Sequence, residues 1–161
     1  MVIAVMLGLL IGPYLILTAV THVWGTIRIE PHLRGRISLA IVFVFTGLGH
    51  FIMTEPLAQM LPPWVPMRMP IIYITGVVEL AAAACLLVPR LCRLTGIYLI
   101  AFLILILVLP ANIYAAIHRG EMGGHSMGPP YLFIRIPLQL ILIIWTYWFA
   151  VRKATTKASV T

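Results

Sequence analysis

Residues 71–88 read IIYITGVVELAAAACLLV, 18 residues with one formal charge, Glu79, near the middle. The length suits a helix that crosses a bilayer, whose hydrocarbon core takes about 20 apolar residues. A carboxylate at that depth is costly unless it is protonated or paired. Thr75, Gly76, Glu79, Ala82 and Ala83 share one face at i, i+3, i+4 spacing, and the opposite face is Ile, Val and Leu. The pattern predicts that Glu79 points at neighbouring helices rather than at lipid. An ionisable group so placed is a functional-site hypothesis whose partner has to be found.

The whole chain has the same character. Of its 161 residues, 62% are apolar and 9% charged, Asp is missing altogether, and the mean hydropathy is +1.08. A soluble domain is about a quarter charged. The expected class is therefore an all-α, polytopic membrane helix bundle in the plasma (inner) membrane, with the lipid bilayer as its first partner. The net charge of +7 does not indicate nucleic acid, because the basic residues are scattered between apolar runs and form no stripe. Cys85 and Cys92 make neither a C-x-x-C nor a zinc pattern. Both fall near the expected cytoplasmic end of a helix, which argues against a thiol–disulfide enzyme.

Outward from the Glu79 segment, four more spans are expected, at residues 2–26, 37–53, 94–117 and 131–150. The first lacks a basic n-region and at about 25 residues exceeds a signal-peptide core, so it reads as a retained helix, kinked at Pro13. Residues 28–36 form a basic loop. The second span ends in TGLGHF, where Gly47 and Gly49 permit close approach of a neighbour. Residues 54–70 hold five prolines, which exclude a regular helix across the stretch. Its PLAQML piece suits a short interfacial helix or a re-entrant turn, and Trp64 an interfacial anchor. Residues 89–93 make a tight basic turn. The fourth span contains Pro110, which frees the carbonyl four residues earlier, and Asn112 just beyond it. A glycine-rich loop at 118–130 leads to the last span. Starting that span at Pro137 would leave about 21 Å of helix, too short for a ~30 Å core, so Pro137 should lie inside it.

With five spans, eight basic residues (Arg28, Arg34, Arg36, Arg90, Arg93, Arg152, Lys153, Lys157) fall on one side and two (Arg68, Arg119) on the other. The positive-inside rule then puts the N-terminus outside and the C-terminus in the cytoplasm. At a rise of about 1.5 Å per residue, Glu79 and Gln139 come about 12 Å below the outer surface, Asn112 about 8 Å, Arg135 about 6 Å and His50 about 5 Å. Four helices thus carry polar side chains into the outer half of the membrane. One reading is a structural knot in which Arg135 pairs with Glu79 and fixes helix order. The other is a cavity open to the outer leaflet, floored by Glu79 and Gln139, with Arg135, His50 and Asn112 at its mouth. Such a set suits proton transfer to a small carbonyl or quinone head group. A competing reading is outward-facing copper handling. Met60, Met67, Met69, Met122 and Met127 with His118 and His125 lie in the outer loops, and thioether with imidazole suits Cu(I). The spacing matches no strict motif, so no metal site is assigned.

GLGHF (47–51), PPWVP (62–66), YITGVVEL (73–80) and PAN (110–112), in this order and spacing, resemble the DoxX-like family of small integral membrane proteins. The resemblance covers residues 36–150. It implies a four-helix membrane domain at 37–150, preceded by one extra N-terminal transmembrane helix with its basic cytoplasmic loop (1–36) and followed by a polar cytoplasmic tail (151–161). Members of that family include subunits of quinone-linked oxidoreductases, thiosulfate:quinone oxidoreductase among them, and components of redox-stress complexes. The implied role is an accessory or quinone-linked subunit of a membrane oxidoreductase system, and no catalytic residue comes with it. The chain carries no haem, flavin or iron–sulfur motif, so electrons would come from an oxidoreductase partner subunit or a diffusible quinone. A non-catalytic membrane scaffold or assembly factor, alone or as a homo-oligomer, is the alternative.

The charge asymmetry generates a direct test. Reporter fusions after Ala150 should read cytoplasmic and fusions at Gly123 external; the reverse at both sites would invert the topology.

Overall fold

The structure, a computed structural model, describes residues 2–23, 29–108 and 130–152, and the side chains of 3–23, 29–105 and 136–152. Among these residues it is helical throughout, without strands. The elements are α1 (Val2–Val23), α2 (Pro31–Ile52), α3 (Thr54–Gln59), α4 (Arg68–Leu87), α5 (Cys92–Val108), α6 (Pro130–Thr146) and a closing π-helical turn (Tyr147–Val151). Three helices are long and apolar enough to cross a membrane, namely Ile3–Val23, Pro31–Ile52 and Arg68–Leu87. Two shorter apolar stretches, Cys92–Leu105 and Ile136–Val151, follow. α1 runs straight through the Pro13 position as one helical segment.

Two helices begin earlier than the sequence suggests. α2 starts at Pro31, not at residue 37, so Arg34 and Arg36 sit on a helix and not in a loop. Pro31 suits a first turn, where its missing N–H would have no partner anyway. The Glu30 carbonyl accepts the N–H groups of Leu33 (2.9 Å) and Arg34 (3.1 Å). Arg34 stays at the helix end by donating from Nε to Ile29 O (2.9 Å) and from Nη1 to Thr18 Oγ1 on α1 (3.2 Å). α4 starts at Arg68, after Met67 turns the chain through a left-handed conformation (φ 53°). Arg68 Nη2 donates back to Pro63 O (3.1 Å) and fastens the proline-rich turn to the helix it precedes. Within residues 54–70, the PLAQML piece begins as the short helix α3.

The last helix runs through Pro137, as its length required. Its end widens into a π turn. Thr146 is fully buried and donates its hydroxyl to Leu142 O (2.7 Å), a back-bond that bends helices. The widened turn sets Phe149 into a niche over Gly35 of α2 and Ala150 against Gly96 of α5. Trp145 Nε1 donates to Gly35 O (3.1 Å), and the rings of Tyr14, Trp145 and Phe149 pack edge-on or tilted at 4.9–5.5 Å.

The core draws on every long helix: Leu10 of α1, Leu39, Val42 and Phe43 of α2, Ala82, Ala83 and Leu86 of α4, Leu99 and Leu103 of α5, and Leu142 of α6. The most extensive contact is between α2 and α4, which run antiparallel. Gly47 meets Leu80 and the Gly76 carbonyl, while Gly76 meets His50, Phe51 and the Gly47 carbonyl. Small residues serve this purpose wherever dispersion and shape drive helix association. Gly49 was expected to share the role, but it faces open space. The outer faces of α4 and α5 expose Ile74, Val77, Leu87, Leu94, Ile97 and Leu105, a surface a bilayer accepts and water does not.

Gly49 of α2 and Gly76 of α4 should therefore behave differently from one another, and Gly76 should be intolerant. A Cβ at Gly76 would lie 2.8 Å from His50 Cβ and 2.9 Å from Phe51 Cε2. Gly76→Ala should lose about 1–3 kcal/mol by overpacking, read as a lower apparent Tm in detergent. Gly49→Ala should leave Tm unchanged or raise it slightly, since Ala favours helix by up to about 1 kcal/mol over Gly. Equal effects at the two positions would contradict the crossing.

Candidate functional site

α4 buries one stripe, Ile72, Gly76, Glu79, Ala82, Ala83 and Leu86. This is the small polar face read from the sequence. Because α4 begins at Arg68, Glu79 lies about 17 Å from that end and about 12 Å from the other, farther from the Arg68 end than expected and slightly past mid-helix. The antiparallel register places Gly47 opposite Leu80 and His50 opposite Gly76. α2 thus ends beside the second turn of α4. α3 packs on both helices there, and buried Thr54 donates its hydroxyl to His50 O (2.7 Å).

Close approach at Gly47 and Gly76 brings His50 to the carboxylate. His50 Nε2 lies 3.5 Å from Glu79 Oε1, with 18% of the His and 7% of the Glu side chain exposed. On the far side of the ring, Thr75 Oγ1 lies 3.5 Å from His50 Nδ1. The single Thr75 hydroxyl hydrogen goes to a carbonyl one turn back, Ile71 O (2.9 Å) or Ile72 O (2.8 Å). Towards His50, Thr75 is then an acceptor in the tautomer whose Nδ1 carries hydrogen. In that tautomer Nε2 and Oε1 face each other with a place for one proton between them. The pair is neutral as a unit in either form, imidazolium with carboxylate or imidazole with carboxylic acid. It can pass a proton across that gap without gaining net charge, and burial favours such neutral states. Glu79 Oε2 is buried with no hydrogen-bond partner among the described residues.

Gln139 is also buried, at 6% exposure, but it is engaged elsewhere. Its Nε2 donates to Leu103 O (3.0 Å) and links α6 to α5, while Oε1 has no partner among the described residues. Asn112 lies outside the described residues, and so does the side chain of Arg135. Of the expected cluster, the structure joins Glu79 and His50 and turns Gln139 to the α5 backbone. Glu79 is sealed, and the two cavities described, at the α1/α2 end and along Ala40 and Ala83, lie elsewhere. Thr75, which lies 3.5 Å from His50 Nδ1, belonged to the predicted polar face without being picked as a site residue; its i, i+4 spacing to Glu79 was the signal. Among the described residues no three His, Cys, Asp or Glu side chains converge as metal ligands. His118, Met122, His125 and Met127 of the copper reading lie outside the described residues. Cys85 and Cys92 are both unpaired thiols.

The two halves of the pair should respond unequally to removal. His50→Leu leaves a buried carboxylate alone, a defect of about 3–5 kcal/mol. Glu79→Leu leaves an imidazole that is content neutral, and should lower Tm less. The double variant should recover part of the His50→Leu loss, with a coupling of about 1–3 kcal/mol. Strictly additive losses in a detergent melting cycle would show that the side chains do not interact.

The family described as Domain of unknown function (DUF8561) matches residues 39–150. That span holds Gly47, His50, Thr75, Gly76, Glu79 and Gln139 and leaves out α1. No curated protein matches the chain, and neither does any solved structure. With more than two-thirds of its length matched, the chain belongs to the DUF8561 family.

Proposed function

We propose that this chain is a five-span membrane protein, N-terminus outside, and that it binds the head group of a quinol at the His50/Glu79 pair as an accessory subunit of a membrane oxidoreductase system. The observation that carries the reading is the buried Glu79 Oε2, an acceptor without a partner among the described residues, on a carboxylate whose Oε1 lies 3.5 Å from the His50 imidazole. A group that satisfies Oε2 has to donate a hydrogen bond, as a quinol hydroxyl does and a quinone carbonyl does not. The resemblance of residues 36–150 to DoxX-like proteins supports the same class of ligand. Oxidation of the quinol to the quinone releases two electrons, which leave through a partner subunit, and two protons, which pass one at a time through Glu79 and His50. Because Glu79 is sealed, the head group enters by local opening of the bundle.

A second reading, a membrane scaffold without catalysis, is favoured by a different observation. Several polar side chains among the described residues tie two helices together, His50 to α4, Gln139 to α5 and Arg34 to α1. Lipid extraction of the protein purified in mild detergent separates the two. The quinol reading expects near-stoichiometric quinone in the extract, reduced at least fivefold in Glu79→Gln with the fold intact. A quinone-free extract, with the variant altered only in melting temperature, would establish the scaffold instead.

A further inference from the structure

At the opposite end of α2 from His50, the termini of α1 and α2 enclose a cavity of about 340 Å³. Its walls are Thr18, Thr21 and His22 of α1, Ile29, Glu30 and Pro31 of the connection, and Arg34 of α2. We infer that this cavity is a binding site for a zwitterionic phospholipid head group, with the phosphate at Arg34.

Position comes first. α1 and α2 are each 22 residues long, about 33 Å at a ~1.5 Å rise, against a hydrocarbon core of about 30 Å. Helices of that length reach just past the core, so their paired ends stand at the level of glycerol and phosphate. Thr18 lies about 8 Å, and Arg34 about 5 Å, from the ends of their helices.

Arg34 is held in place before any ligand arrives. Nε donates to Ile29 O (2.9 Å) and Nη1 to Thr18 Oγ1 (3.2 Å). A guanidinium has five donors in a rigid fork, so these two bonds fix its plane and leave further N–H groups for phosphate oxygens, its natural bidentate partners. Little conformational freedom remains to be lost on binding. Thr18 and Thr21 use their hydroxyl hydrogens on Tyr14 O (2.7 Å) and Thr18 O (2.8 Å). They wall the cavity without competing for the phosphate as fixed charges.

Charge selects among head groups. Among the described lining residues, Arg34 and Glu30 carry opposite charges and His22 is the other titratable group. An anionic head group would meet Glu30 unfavourably. A phosphoethanolamine group carries both signs and matches both. The α1 surface alongside is exposed and apolar, with Leu15 at 57% and Ile16 at 63% exposure, a track on which acyl chains can lie.

The test uses the full chain in detergent, observed by native mass spectrometry with added phosphatidylethanolamine, phosphatidylglycerol, or inorganic phosphate. Wild type should retain one phosphatidylethanolamine. Arg34→Gln should reduce its occupancy at least tenfold, and Arg34→Lys, which keeps the charge but loses the fork, several-fold. Arg90→Gln, on the exposed turn between α4 and α5 and outside the cavity lining, should have no effect. Equal retention by wild type and both Arg34 variants would overturn the site. Preference for phosphatidylglycerol would overturn the zwitterion assignment. Arg34-dependent binding of inorganic phosphate without lipid would overturn the lipid source. Should Arg34→Gln fail to fold, Arg34→Lys and the lipid comparison on wild type decide the matter alone.

Discussion

One contact governs much of this molecule: the approach of α2 to α4 with no side chain between Gly47 and Gly76. A carboxylate inside an apolar bundle is unfavourable by several kcal/mol when alone. Glu79 is tolerated because the neighbouring helix comes near enough for an imidazole to reach it. Backbone closeness, set by two missing side chains, thus determines the electrostatics of the site. The dependence runs the other way too. The ion pair is directional and fixes the register of two helices whose remaining contact is mainly dispersion, which tolerates sliding.

The bundle distributes its polar atoms along the same principle. Among the described residues, buried Thr54 and Gln139 donate to a backbone carbonyl of a neighbouring helix, and buried Thr146 to one of its own. Such bonds hold helices without introducing net charge. The His50/Glu79 pair differs because its chemistry is acid–base. That difference makes it the functional candidate, while Gln139 reads as a brace.

Much of the fold could be read from residues, and the failures have physical causes. The buried face of α4 followed from the period of its small residues, and the passage of α6 through Pro137 followed from bilayer thickness. Helix starts were missed where charge was taken as a sign of loop. Arg34 and Arg36 are helical because arginine stems lie along apolar surface while the head stays at the rim. The His50 contact depends on helix register, which cannot be obtained by counting depth along a sequence. Gly49 failed for a related reason: two glycines two residues apart face different sides of a helix. Gln139 found Leu103 O, and no pattern in a sequence marks one ordinary backbone carbonyl among many.

The niche over Gly35 has a bearing on how the chain is made. Trp145, which closes onto the Gly35 carbonyl, follows it by 110 residues, and Phe149 follows later still. At about 5–20 residues per second of synthesis, α2 waits on the order of 5–20 s for the rings that complete it. Throughout that interval α2 presents an unfilled hollow near its basic end, while α4 already covers its other face. Biogenesis is therefore ordered, with the α2/α4 crossing assembled first and the aromatic closure last. A nascent or truncated chain that stops before α6 offers cellular quality control a recognisable open seam along α2.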